Sequence, residues 1–179
     1  MNAYRKLWIY IKFSVKLFIK NPGFTTLKTT IRFFPAWKTH LANGKNSVTD
    51  SIPWLTFPSI NFLNKNINKQ MTVFEYGSGG STLFWSERIK QIISVEHDKK
   101  WYEKVKKELE LREIKHVSYF LLEAEEDPDF ALKSSANPND YISDDENFVG
   151  QKFEQYVRKI DEYPDEYFDI ILIDGRARH

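Results

Sequence analysis

The chain has 179 residues, 41% of them hydrophobic and 16% aromatic, which predicts a folded globular protein and excludes a mostly disordered one. It contains no cysteine, which excludes disulfide frameworks, thiolate nucleophiles and cysteine metal sites and suits a reducing, cytoplasmic compartment. The formal net charge is +1, yet residues 1–50 carry nine Lys or Arg against Asp50 alone, so the remainder is acidic. This asymmetry predicts a basic helical extension and connector over 1–50 and a separate domain over 51–179.

The first predicted element is a basic amphipathic helix over residues 4–20. At about 100° per residue, one face carries the bases and the opposite face carries apolar residues, namely Arg5, Lys12, Lys16 and Lys20 against Leu7, Ile11, Val15 and Phe18. Two interpretations stay open: peripheral contact with the anionic inner face of a membrane, or packing of the aromatic face on the domain. Lysines interrupt the apolar run too often for a transmembrane span. Nucleic acid is disfavoured, because the aromatic residues group with the aliphatic ones rather than with the bases.

Residues 21–50 are predicted to connect this helix to the domain. Asn21-Pro22-Gly23 ends the helix, and further Pro and Gly residues predict a connector that contains one short helix. The apolar run over 52–58 is expected to pack on a sheet, with Trp54 in the core and contact with a ligand as the alternative. A helix is predicted over 59–66.

The most informative segment begins at residue 72. A short apolar run predicts a buried strand over 72–76, and the glycines at 77 and 79 permit a tight turn before a helix predicted over 81–90. The N-terminus of a helix offers unpaired N–H groups, and a glycine turn lets a ligand approach the backbone closely. Strand, glycine turn and helix in this order predict a ligand cradle.

A carboxylate completes the pattern. The next strand is predicted over 92–97, and Glu96 at its tip lies nineteen positions after Gly77. An acidic residue so placed can accept hydrogen bonds from two ribose hydroxyls, which predicts a site for a nucleoside cofactor. The alternative is an ordinary strand-to-helix turn with Glu96 as a surface carboxylate.

Helices and strands alternate through the rest of the chain. Helices are predicted over 99–113 and 148–162 and strands over 117–122 and 168–174, so the fold class is α/β, a Rossmann-like, doubly wound and mainly parallel sheet flanked by helices. Ligands of such sheets bind at the carboxyl ends of the strands, where Gly77, Glu96 and Asp174 all fall.

An acidic segment separates the third and fourth predicted strands. Residues 123–146 contain nine acids and one base, Lys133, which predicts a solvated, mobile loop. Because the loop leaves the ligand end of the sheet, a lid with Phe130 and Tyr141 as apolar contacts is the alternative.

Three segments carry a resemblance to a known family. Glu75-Tyr76-Gly77-Ser78-Gly79 resembles motif I of the class I S-adenosylmethionine-dependent methyltransferases, residues 93–98 resemble their second-strand motif, and residues 168–175 resemble their fourth strand with its acidic tip. The resemblance covers about residue 52 to the C-terminus. It implies S-adenosylmethionine as cofactor and methyl transfer to an unidentified acceptor. The cofactor-binding residues it implies are Glu75, Tyr76, Gly77, Ser78, Gly79, Ser81, Thr82, Glu96, His97 and Asp174.

The chain also departs from that family. It stops five residues after Asp174, so three of the family's seven strands are not accounted for, and the methyltransferase-like domain is expected to be truncated. The apolar run 170–173 would then form an exposed edge strand and favour self-association. The first alternative function is therefore a noncatalytic module that binds a nucleoside or a partner.

Two further expectations concern cofactors. An NAD-dependent oxidoreductase is the second alternative, but the third glycine of the dinucleotide motif is replaced here by Thr82. No metal site is predicted, because Asp174 alone matches an acidic metal ligand and the four histidines show no ligand spacing. No catalytic residue is assigned.

Overall fold

Two helices begin the structure, a computed structural model that describes residues 3–42 and 47–174. Helix α1 spans Ala3–Lys20 as predicted, and helix α2 spans Phe24–Ala42 after the turn at Asn21-Pro22-Gly23. The prediction of a connector with one short helix was wrong, since α2 has 19 residues and continues through Pro35. Tertiary packing outweighs the proline, because Tyr10 of α1 packs on rings on both sides of it.

The hairpin of α1 and α2 shows where the first helix packs, while its contact with a membrane stays a prediction. Within the described residues α1 packs mainly on α2, and its large apolar side chains, including Trp8 and Phe13, remain exposed. Packing of the aromatic face on the domain is therefore wrong. In the described ranges, no helix is long and apolar enough to cross a bilayer.

The remaining helices and strands follow in chain order. They are α3 (Ser47–Asp50), α4 (Phe57–Asn66), β1 (Thr72–Tyr76), α5 (Gly80–Ser86), β2 (Gln91–Glu96), α6 (Lys99–Leu111), β3 (Val117–Leu121), β4 (Glu125–Glu126), β5 (Gln151–Lys152), α7 (Glu154–Arg158) and β6 (Ile170–Ile173). The predicted helix over 148–162 is shorter than expected, because α7 gives way to a 3₁₀ turn at Lys159–Glu162.

Four parallel strands form the main sheet in the order β3-β2-β1-β6, which confirms the Rossmann-like α/β class. The chain moves outward from β1 to β3 and then returns to the other side of β1, so the strand order reverses beside β1. Tyr76 pairs with Val95 and with Ile173, which brings the carboxyl ends of β1, β2 and β6 to one edge. Ligands of open α/β sheets bind at such a reversal.

The two faces of the sheet carry separate cores. On one face, Phe74 and Tyr76 of β1 pack with Tyr156 of α7, and on the other face Val73 packs with Phe84 and with a buried Trp85 of α5. Because successive side chains of a strand point to opposite faces, the apolar run of β1 serves both.

α3 joins the predicted N-terminal extension to this core. Val48 is buried against Leu83 of α5 and Val105 of α6. The last residues of the 1–50 segment therefore contribute to the packing of the following domain.

The acidic segment is more structured than the solvated loop that was predicted. β4 pairs antiparallel with β5, and three 3₁₀ turns lie between them. Ile142 is buried, and Asp127 accepts a hydrogen bond from Lys133 at 2.6 Å. Paired charge and local burial allow this acidic sequence to pack.

β6 forms an edge of the described sheet. Its alternate residues Ile171 and Ile173 are exposed, as expected for an apolar strand with one unpaired side. Self-association through this edge stays a prediction.

Candidate functional site

The turn after β1 contains a glycine in a backbone conformation that is strained for other residues. Gly77 has φ of 84°, a conformation that side chains with a Cβ disfavour, and its N–H donates to the carbonyl of Val95 at 2.9 Å. Two residues later the N–H of Gly79 donates to Thr82 Oγ1 at 2.9 Å. The turn is thus tied both to β2 and to the first turn of α5.

A buried carboxyl group supports the turn from below. Glu75 is fully buried, and its Oε2 accepts hydrogen bonds from Thr82 Oγ1 at 2.6 Å and from Ser94 Oγ at 2.8 Å. Its Oε1 has no hydrogen-bond partner in the described part of the chain. Burial raises the pKa of Glu75 to about 7, although the hydroxyl hydrogen bonds oppose that change.

The Glu96 carboxylate closes the opposite side of the turn. Its Oε2 accepts from the backbone N–H and the hydroxyl of Ser78, at 3.0 and 2.8 Å, and its Oε1 accepts from the N–H groups of His97 and Asp98, at 2.8 and 2.9 Å. These four bonds use about the full accepting capacity of a carboxylate. The Ser78 hydroxyl has a second contact, with Tyr119 Oη at 2.5 Å. A ligand hydroxyl could therefore take the place of the Ser78 hydroxyl, which keeps a partner in Tyr119.

Between these groups lies a pocket of about 230 Å³. Most of its lining was predicted from the sequence, namely Gly77, Ser78, Gly79, Ser81, Glu96, His97 and Asp174. Three other predicted residues, Glu75, Tyr76 and Thr82, do not line it. Their direct contact with a cofactor stays a prediction.

The His97 side chain is enclosed by aromatic rings next to the pocket. Phe148, Phe153 and Tyr156 lie with ring centroids 5.5 to 5.6 Å from the imidazole, and Nδ1 lies 3.3 Å from Glu96 Oε1. This enclosure holds the β2 tip in place and shields one side of the Glu96 carboxylate from water.

Trp101 and Trp54 also line the pocket, and the sequence did not predict the part played by Trp101. Trp101 Nε1 donates to the carbonyl of Ser78 at 2.7 Å, and its ring lies 3.6 Å from where a Cβ on Gly79 would stand. The sequence signal that could have revealed Trp101 is the N-cap of α6. Asp98 accepts a hydrogen bond from the Trp101 N–H, which places Trp101 in the first helical turn after the end of β2. The core position expected for Trp54 was wrong, because it is 84% exposed and lines the pocket.

The backbone at Ser47 and Ile52 packs tightly against the start of α5. A Cβ on Gly80 would lie 2.2 Å from the carbonyl oxygen of Ser47 and 2.3 Å from that of Ile52. The bare glycine lets this backbone cross the helix start, and Ser47 forms part of the pocket wall.

A larger cavity, of about 440 Å³, lies between α4 and β6. Its lining is almost wholly apolar, with Phe62, Trp85 and Ile171 among its residues. It offers no carboxylate to orient a polar ligand, so the chemistry favours the pocket at the glycine turn. Among the described residues, no group of three or more His, Cys, Asp or Glu side chains could hold a metal ion.

Fold and site together define a Rossmann-like α/β domain with a pocket at the strand reversal, formed by a glycine turn, a carboxylate at the β2 tip and an acidic residue after β6. No protein-family model matches the chain, and no curated protein sequence does.

Two solved structures are similar to part of the chain. A Streptococcus mutans protein assigned as a methyltransferase, in complex with SAH, has 26% identity and a TM-score of 0.34 over 36% of this chain and 38% of its own. A protein-L-isoaspartate O-methyltransferase has 28% identity and a TM-score of 0.31 over 37% of this chain and 24% of its own. The chain thus spans well under half of either protein.

Proposed function

We propose that this chain binds S-adenosylmethionine in the glycine-turn pocket and transfers its methyl group to an acceptor. The observation that carries the proposal is the position of the Glu96 carboxylate opposite the Gly77–Gly79 turn, where β1 and β2 end side by side. A carboxylate facing a glycine turn suits a ligand with two ribose hydroxyls and a polar tail.

The residues present fit such a cofactor. Glu96 would hold the ribose hydroxyls, and Asp174 would orient the amino end of the ligand. The turn, with Gly77 at its start, leaves the backbone open for a close approach. When bound, S-adenosylmethionine would supply a methyl group on a sulfonium that needs only an in-line acceptor. The chain's own task is then to position the two partners and to exclude water, and the two tryptophans at the pocket wall suit that task.

The structure suggests a sharp binding test, because Ser78 competes with a ligand for Glu96. Titration calorimetry with S-adenosylmethionine and S-adenosylhomocysteine should show binding that Glu96→Gln weakens about tenfold or more, since hydrogen bonds to a charged group are worth about 1.5–3 kcal/mol. Ser78→Ala frees one acceptor site on Glu96 and should bind at least as tightly as the unchanged chain. Glu110→Gln, on an exposed part of α6, is the matched control.

The outcomes separate the proposal from its alternatives. Weakening by Glu96→Gln but not by Ser78→Ala supports ribose binding at Glu96, and no binding by folded, monodisperse protein overturns it. Displacement of the ligand by NAD would favour an oxidoreductase. Binding without transfer to any peptide, small-molecule or nucleic-acid acceptor tried would favour the noncatalytic module.

A further inference from the structure

The α1–α2 hairpin exposes an apolar surface that the rest of the described chain does not cover. On α1 the exposed large side chains include Tyr4, Trp8, Ile11, Val15, Phe18 and Ile19. Their exposure is high, 62% for Trp8 and 74% for Ile19. On α2 the corresponding residues are Phe24, Leu27 and Ile31. We call these nine residues the hairpin face.

Helical geometry places both parts of the hairpin face on the same side. Tyr10 of α1 contacts Thr30, Phe34 and Trp37 of α2, as expected for antiparallel helices joined at residues 21–23. At about 100° per residue, the hairpin face lies roughly a quarter to a half turn past this contact line on α1 and about a quarter turn past it on α2. Because the helices run antiparallel, rotations in the same sense from the contact line lead to one common side.

The domain lies against another side of the hairpin. Phe33 of α2 stacks on Phe57 of α4 at 6.2 Å, and Arg32 donates to Asn61 at 3.3 Å. On the helical wheel of α2 these two residues lie away from Leu27 and Ile31. The hairpin face therefore points away from the domain and is accessible to a flat surface.

The charge of the hairpin indicates which surface that is. α1 carries five Lys or Arg and α2 carries three, and neither helix contains an Asp or Glu. The bases of α1, such as Lys12 and Lys16, flank the apolar residues, and the Lys12 ammonium lies 5.4 Å from the Trp8 ring centroid. Long basic side chains beside an apolar stripe can extend to phosphate groups while the stripe enters the headgroup region. A second copy of the same face would instead bring like charges together.

We propose that the α1–α2 hairpin docks flat on an anionic lipid bilayer through the hairpin face. The hairpin lies in the plane of the interface, and its bases contact the headgroups. None of the described residues that line the glycine-turn pocket belongs to α1 or α2, so this docking does not depend on cofactor binding.

Co-sedimentation of the full chain with vesicles tests the proposal. Binding is expected to phosphatidylcholine vesicles that contain phosphatidylserine, to weaken with added salt, and to fall strongly with phosphatidylcholine alone. Lys12→Ala with Lys16→Ala should reduce the affinity about thirtyfold, because each base near an anionic surface contributes about fivefold. Lys106→Ala with Lys107→Ala, exposed on α6, removes the same charge elsewhere and should leave binding nearly unchanged.

The apolar part is tested by replacing Trp8, Ile11 and Phe18 together by serine, which should abolish binding while circular dichroism shows that the fold persists. Equal binding by this variant overturns the proposal, as does equal loss with both lysine pairs. Absence of vesicle binding by the unchanged chain also overturns it. If sedimentation velocity then shows self-association that the serine variant loses, the hairpin face is an interface between copies.

Discussion

The buried carboxyl group of Glu75 makes a specific prediction about stability and pH. Its Oε2 accepts two hydroxyl hydrogen bonds, while burial raises the pKa from an ordinary value near 4.5 to about 7. Below pH 4.5 the group is protonated in both folded and unfolded chains. Between 4.5 and 7 the unfolded chain releases its proton first, so the folded state loses stability as pH rises through this window.

The size of the effect follows from the pKa difference. Each unit corresponds to about 1.4 kcal/mol, so the folded state should lose about 3 kcal/mol through this one group by pH 8. Glu75→Gln has nearly the same shape and stays neutral at every pH. The variant should match the unchanged chain near pH 4 and exceed its unfolding free energy by about 3 kcal/mol at pH 8.

Urea unfolding of both proteins at a series of pH values measures this difference directly, since contributions of other groups cancel. Ser94→Ala serves as a second variant, because loss of its hydrogen bond to Oε2 should raise the pKa of Glu75 further and extend the window to higher pH. A difference between Glu75→Gln and the unchanged chain that stays constant from pH 4 to pH 8 would refute the reasoning.

Three further predictions concern the pocket and the sheet edge. Gly80→Ala places a Cβ 2.2 Å from the carbonyl of Ser47 and should lower the unfolding free energy by about 1–3 kcal/mol, measured by urea unfolding. Trp101→Phe keeps a ring but loses the 2.7 Å hydrogen bond to Ser78, so calorimetry should show cofactor affinity about fivefold lower; unchanged affinity would contradict that role. Ile171→Lys puts a charge on the exposed β6 edge and should remove any concentration-dependent association seen by sedimentation velocity.

Local sequence signals were enough for the central part of the fold and for most of the pocket. The apolar run of β1, the glycines after it and the acidic tip of β2 act within a short stretch, where strand, turn and helix preferences agree. The parallel order then follows from helices between strands, which brings Gly77, Glu96 and Asp174 to one edge.

Other features depended on contacts between residues far apart in the chain. A tryptophan in an apolar run predicts burial, yet Trp54 stands exposed at the pocket while its neighbour Pro53 is buried. The acidic segment packs because Lys133 forms an ion pair with Asp127 and because β4 pairs with β5. The local sequence pattern does not predict this strand pairing.

The sequence by itself determined the helical period of α1, the strand and glycine turn, and the carboxylate at the β2 tip, because each depends on neighbouring residues. Only the tertiary structure decided which face of α1 stays exposed and that Ser47 and Trp101 line the pocket. It also decided that the Ser78 hydroxyl donates a hydrogen bond to the Glu96 carboxylate. Periodicity shows that a helix has an apolar face, but what covers that face is set by the packing of the whole chain.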